Sequence, residues 1–186
     1  ENRSCRRFYE DHAVAPETLK EFVNLARMSA SGANLQPLKY VLSCDPQKNA
    51  EIFSCLAWAA YLKDWPGPAD GERPAAYIVI LGDTGISESA GCDHGIAAQT
   101  ILLGAREKGL AGCMLGSIDR KALRSNLNLP SELKILLVLA IGKPKEKVVM
   151  DTIGPNDSIK YWRDNDAVHH VPKRKLEDII VAEYGS

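Results

Sequence analysis

The sequence lacks an excess of either charge: 23 Lys and Arg face 24 Asp and Glu, for a net charge of -1. No global positive field exists to draw in nucleic acid or an anionic membrane, so any bound anion must be held by a local cluster. Long apolar runs are missing as well. The longest aliphatic stretch, Ile135 to Ile141, falls far short of the ~18 residues of a membrane span. No charged-then-apolar targeting segment opens the chain, and it reads as soluble and cytoplasmic. Neither Gly-x-Gly-x-x-Gly nor Gly-x-x-x-x-Gly-Lys-Ser/Thr occurs, which removes the main support for a Rossmann dinucleotide site or a P-loop. The five cysteines contain no Cys-x-x-Cys pair and are odd in number, which argues against a zinc ribbon or a disulfide framework and for reduced core thiols. Asp164-Asn165-Asp166 lacks the glycine and glutamate of a calcium loop and reads as a solvated turn. His169-His170 has no further zinc-ligand motif and reads as structural; no metal site is expected. Cys92 and His94 are two apart on a helix and point to different faces, so the thiol reads as buried rather than as a nucleophile with its base.

What remains is a chain of 186 residues, 45% hydrophobic and 25% charged, of a size that suits one compact domain. It opens at Glu1 without methionine, directly on a basic motif, which leaves room for an upstream segment. Leu19, Phe22, Val23 and Ala26 form one stripe of a helix from Pro16 to Met28. A loop of small residues, 29–34, leads through Gln36-Pro37 to a short strand at Tyr40–Leu42. Asp45 is placed to cap a helix running to about Leu62, stopped by Trp65-Pro66-Gly67-Pro68. Ala75–Leu81 and Leu133–Ile141 read as buried strands, Cys113–Leu115 as a short strand, and Asp119 as the cap of a helix to Asn126. Cys92 to Lys108, closed by Gly109, is apolar on nearly every side, and such a helix is buried in the domain or between subunits. The polar stretch 143–172 shows no periodicity and is too long for an ordinary loop, which suggests an arm.

Charge is unevenly placed. Arg3, Arg6 and Arg7 open the chain and Lys173, Arg174 and Lys175 follow the polar stretch. If the fold brings these ends together they form one anion site, since Arg grips phosphate with a bidentate fork. Solvated termini are the plainer reading.

Arg3-Ser4-Cys5-Arg6-Arg7-Phe8, followed about twenty residues later by Ser31-Gly32-Ala33-Asn34-Leu35-Gln36-Pro37, resembles the FMN-dependent nitroreductase family. Members open with an Arg-Arg-Ser-x-Arg-x-Phe type segment and carry a Pro-Ser-x-x-Asn-x-Gln-Pro-Trp type loop. The likeness continues through Gly95–Gln99, Gly109–Cys113 and Pro172–Glu177, nearly the whole chain. It implies an α+β fold with a central, mostly antiparallel sheet flanked by helices. It also implies a homodimer with FMN at the subunit interface. Residues 1–186 would form a single FMN-binding domain, with 143–172 embracing the partner.

The resemblance assigns roles residue by residue. Arg3 and Ser4 match ligands of the FMN phosphate and ribityl chain, and Arg6 matches the cation beside the pyrimidine edge, where positive charge raises the reduction potential. Ser31, Asn34 and Gln36 match the loop that reaches the flavin from the partner subunit. Leu115 and Gly116 match the segment whose backbone approaches N5, and Lys173 and Arg174 the cations that close over the phosphate. Asn2, Ala30 and Leu38 depart from the usual Arg, Pro and Trp, and Leu115 from an acidic residue found in some members. The implied activity is NAD(P)H-dependent reduction of nitroaromatics, quinones or related small acceptors by a ping-pong hydride transfer through N5. No side chain is assigned acid–base work, because the flavin carries the redox chemistry. Dehalogenation or flavin breakdown on the same fold, and a cofactor-free interaction protein, are the alternatives. Trp58–Trp65 holds three of the few aromatics: its plainer reading is a core helix, its functional one a substrate lid formed by Tyr61 and Trp65.

Overall fold

The computed structural model describes residues 2–185, which divide into two compact units: 2–58 with 66–145, and 59–65 with 146–185. The first unit is built on β5 (Leu133–Pro144). One edge of β5 pairs with β3 (Ala76–Asp83), which pairs in turn with β2 (Leu38–Ser43); the other edge takes β4 (Ala111–Leu115) and then β1 (Phe8–Tyr9). Every one of these pairings is antiparallel. Seven of the eight residues of β3 are buried, as a strand covered on both faces must be.

Strand alternation sorts the two faces. Ala76, Ile78 and Ile80 of β3, with Leu139 and Ile141 of β5, join a core with α1 (Pro16–Arg27) and α3 (Asp93–Glu107). From α1 come Leu19, Phe22 and Ala26; Pro16 occupies the first turn, where its missing N–H costs nothing. Helices α2 (Pro46–Phe53) and α4 (Arg120–Asn126) start at aspartates whose carboxylates accept from Lys48 N at 2.7 Å and Ala122 N at 3.0 Å. Gly112 is where β4, β5 and α3 crowd together: a Cβ there would stand 2.5 Å from the Ala140 carbonyl oxygen and 2.6 Å from Leu102 Cδ2.

Several expectations are corrected. Helix α2 ends at Phe53, well before Leu62, because the chain turns away to pair Leu56 with Ile118 and Ala59 takes a positive φ of 43°. Trp58–Trp65 is accordingly no helix: Trp58 is buried in the first unit, against Phe53. Helix α3, expected to be buried in the domain or between subunits, is buried within the chain through Ala97, Ala98, Ile101, Leu102 and Ala105 and leaves Ile96 and Leu103 exposed in the single chain. Cys5, Cys55 and Cys113 are buried, Cys44 is half-buried, and Cys92 lies at the surface beside the start of α3, not in the core.

The second unit holds a three-stranded sheet with β8 (His169–Arg174) in the middle, parallel to β6 (Val148–Ile153) and antiparallel to β7 (Trp162–Arg163). Most of the stretch without periodicity is therefore paired strand and turn. Asp164 does form a turn, accepting from Asp166 N and Val168 N. His170 bridges Asp151 at 2.9 Å and Asp164 at 3.2 Å and stacks on the Trp162 ring at 4.1 Å. His169 is fully buried. Among the described residues no His, Cys, Asp and Glu cluster could hold a metal ion, and no helix is long and apolar enough to cross a membrane.

Candidate functional site

The basic N-terminal segment is fixed as an added edge of the sheet. Cys5 N–H donates to the Gly112 carbonyl at 2.9 Å, and three residues later Phe8 enters β1 opposite Pro144. Cys5, Phe8 and Ala111 make a small buried cluster beneath it. A second anchor is ionic: Arg7 donates from Nε and Nη2 to the two Glu72 carboxylate oxygens at 2.6 and 2.7 Å, and Lys145 Nζ stands 3.1 Å from the same carboxylate. The Arg7 hydrogen bonds, with help from Lys145 and against the cost of burial, hold the Glu72 carboxyl down at about 2. This anchoring leaves Arg3 half-buried, Ser4 exposed and Arg6 buried alongside β4.

At the far end of β4, Leu115 is buried and Gly116 is exposed. A Cβ on Gly116 would meet a single atom within 4 Å, Leu137 Cδ1 at 4.0 Å, so this backbone faces open space. Arg120 Nη2 donates to its carbonyl at 3.4 Å.

The loop 31–36 is shaped by a residue with no assigned role in the sequence reading. Asp93, in the first turn of α3 and 6% exposed, accepts from Ser31 Oγ at 2.6 Å and from Gly32 N at 3.0 Å. A carboxylate suits that end of a 15-residue helix, where the macrodipole is positive. Ser31 Oγ also accepts from Gln36 N at 2.9 Å, which closes the loop on itself. Ala33, Asn34 and Gln36 all take positive φ, a conformation asparagine tolerates and alanine does not favour. Ser31 is thus engaged in holding the loop, while the Asn34 and Gln36 side chains lie outward, Gln36 Nε2 donating to the Asn34 carbonyl at 3.2 Å. Beside the loop lies a concavity of about 560 Å³ lined in part by Arg27, Tyr40 and Asp93. Burial, reinforced by the Asp93 carboxylate, pushes the Tyr40 hydroxyl pKa up.

Within one chain the two groups lie on opposite edges of the sheet. The loop feeds β2, whereas Arg3–Arg6 lie beside β4 and Gly116 follows it, three strand spacings or about 14 Å away. Lys173 and Arg174 are exposed at the end of β8 in the second unit, where Arg174 Nη1 donates to the Pro155 carbonyl at 3.4 Å. Tyr61 and Trp65 belong to the second unit as well. Tyr61 packs on Tyr161 with ring centroids 4.9 Å apart, and Trp65 lies under the Arg163 guanidinium at 4.1 Å. Arg163 is itself held by Glu146 through its Nε at 3.0 Å. One face of Trp65 is therefore covered by a fixed cation. Asp93 and Glu72 are the site residues that sequence reasoning missed; an acid in the first turn of α3 is the one signal that pointed to either.

An antiparallel sheet with helices on both faces and a cationic strand added at its edge defines an α+β fold shared with known structures. An FMN-dependent nitroreductase from Clostridium difficile R20291 aligns at 25% identity with a TM-score of 0.64, covering 79% of this chain and 86% of that one. A nitroreductase family protein from Streptococcus pneumoniae TIGR4, at 15% identity, shares the fold over 98% of this chain and 96% of its own, TM-score 0.69. A provisionally named NADH dehydrogenase/NAD(P)H nitroreductase of Archaeoglobus fulgidus is 25% identical over 153 residues, 78% of this chain and 83% of that protein. The sequence profile of the Nitroreductase family matches residues 1–143, and the chain belongs to that family.

Proposed function

We propose that this chain is a homodimeric, FMN-dependent oxidoreductase. It takes a hydride from NADH or NADPH and passes it to a nitroaromatic, quinone or related small acceptor, the donor leaving before the acceptor enters. The observation that carries the reading is the anchoring of Arg3–Arg6 along β4, whose far end opens at Gly116, in a chain of the nitroreductase family.

The residues present fit the cofactor. Its phosphate and the pyrimidine edge of its ring ask for cations and its ring carbonyls for amide donors; Arg3 supplies the phosphate and Arg6 the ring edge, and Asn34 and Gln36 supply the amides. Its flat ring asks for backbone without a side chain, and Gly116 supplies that. When bound, FMN accepts and donates the hydride. Arg3 and Ser4 would bind the phosphate end. Arg6, buried and fixed, would set the electrostatics of the ring, where a cation favours the reduced, anionic form. Asp93 would keep the 31–36 loop in one shape through Ser31 and Gly32. The edge-to-edge separation of loop and cationic strand in one chain supports a site completed by the loop of a second copy. The exposed Ile96 and Leu103 on α3 support the same dimer. Lys173 and Arg174 are proposed to close over the phosphate, the 143–172 segment to contact the partner, and Tyr61 and Trp65 to border the acceptor.

Absorption of the freshly purified protein, with release and identification of the chromophore, tests the reading. FMN at about one per chain and NAD(P)H oxidation with a quinone or nitroaromatic are expected, with both lost in Arg3→Ala/Arg6→Ala. A colourless protein that fails to take up added FMN overturns it.

A further inference from the structure

A second cavity lies on the other face of the sheet, and the flavin reading has no use for it. It is a half-open concavity of about 650 Å³ between α2, the start of β3 and the segment after β1. Tyr77 is at its floor. It is 1% exposed, and its hydroxyl has no hydrogen-bond partner among the described residues; neither has the buried Nε–H of Arg73, which lines the same space. Natural structures leave few buried polar groups unpaired, because each loses water without replacement. The nearby amide does not serve these donors: Asn49 is committed to Ser43 through Oδ1 at 2.7 Å and to the Ala75 carbonyl through Nδ2 at 2.8 Å.

The chemistry of the missing partner follows from what faces it. An Arg Nε–H only donates and a Tyr hydroxyl donates readily, so the matching atom is an acceptor oxygen. It is a neutral one. The Arg73 guanidinium is already paired with Asp70 at 2.7 Å, and Glu10 and Asp11 line the same cavity, so an anion would meet two carboxylates. Val14, Phe53 and Pro74 supply apolar walls, with the Arg73 guanidinium 4.5 Å above the Phe53 ring. The Glu10 carboxylate, held by Gly71 N–H at 2.6 Å and Arg73 N–H at 3.2 Å, offers an acceptor to any N–H of the ligand. The geometry points to a second small-molecule site, built on Tyr77 and Arg73, for a neutral aryl carbonyl compound, with an aryl primary amide as its best match.

The site stands apart from the 31–36 loop. Tyr77 pairs with Ser43 at one end of the β2–β3 ladder while Gly82 pairs with Leu38 at the other, five residues or about 17 Å along the strand. It therefore neither depends on the flavin reading nor shares its failure.

The probe is benzamide, titrated into the protein as purified and followed by amide chemical shifts. Saturable shifts are expected at Gly71, Arg73 and Phe53, within about 50 mM for a fragment of about nine heavy atoms. Tyr77→Phe, which removes only the unpaired hydroxyl and should melt no lower than the parent, weakens binding by about fivefold or more. Ala50→Phe, at an exposed α2 position on the rim, abolishes it. Benzoate binds several-fold more weakly than benzamide. Absence of saturable shifts at these residues, equal binding by Tyr77→Phe, or benzoate binding as well as benzamide overturns the assignment and leaves a water-filled cavity.

Discussion

Glu72→Gln tests how the cationic segment is held. Glu72 receives two hydrogen bonds from Arg7 and one ionic contact from Lys145, and so joins the N-terminal segment to the last residues of the first unit. Its carboxyl falls from 4.5 to about 2, a difference of at most ~3.4 kcal/mol between the protonation states. Its side chain is 17% exposed and those of Arg7 and Lys145 23% and 36%, so solvent screening reduces this to about 1–2 kcal/mol. Removing the charge also leaves Arg7 and Lys145 facing each other uncompensated, which acts in the same direction. For a chain of 186 residues the variant should melt roughly 3–6 °C below the parent at neutral pH. The pH dependence gives the sharper check. A carboxylate with a depressed pKa contributes its full stability above the unfolded value near 4.5 and loses it as pH falls toward 2. Denaturant unfolding of parent and variant should thus differ by 1–2 kcal/mol at pH 7 and converge between about pH 5 and pH 2. A gap that survives unchanged at pH 2.5, or no gap at pH 7, would refute the reasoning.

Two further outcomes are expected. Asp93→Ala removes the acceptor of Ser31 Oγ and Gly32 N and should cost about 1–3 kcal/mol; on the flavin reading it also lowers FMN retention, and unchanged stability by calorimetry would contradict the loop's dependence on Asp93. His170 should titrate above its ordinary 6.5 by NMR, because the hydrogen bond to Asp164, aided by Asp151 and opposed by desolvation, favours the imidazolium. The stability of that pairing is present below the ordinary pKa and fades as pH rises through the raised one. Asp164→Asn should bring the midpoint down, and a midpoint at or below 6.5 in the parent would count against the geometry.

Legibility in the sequence followed the range of the forces involved. Asp45 and Asp119 announce their helices because a cap acts over three residues, and Gly109, with a φ of 71°, closes α3 for an equally local reason. The apolar runs at Ala76–Asp83 and Leu133–Pro144 announce themselves by composition. The end of α2 does not, since it depends on a bridge from Leu56 to Ile118 across sixty residues, and Trp58–Leu62 is no poorer in helix formers than what precedes it. The strands of the second unit are hidden by their brevity among polar turns: β6 has four apolar residues in six, but it opens on two half-buried valines and is too short to show a clean period of two. At the candidate site the motif residues could be named from their order in the chain. Their supports could not, because Glu72 lies 65 residues from Arg7, and Asp93 62 from Ser31.

Strand β5 gives the first unit a particular order of assembly. It pairs with β3 along one edge and with β4 and β1 along the other, yet it is the last of the five to be synthesised. Forty-nine residues separate the end of β3 at Asp83 from the start of β5 at Leu133, so a nascent chain carries an almost wholly apolar strand with one open edge for several seconds of translation. Open, flat, apolar edges recruit other chains. Slowed elongation between residues 84 and 132, or truncation before residue 133, should therefore divert this protein toward aggregation long before any question of cofactor arises.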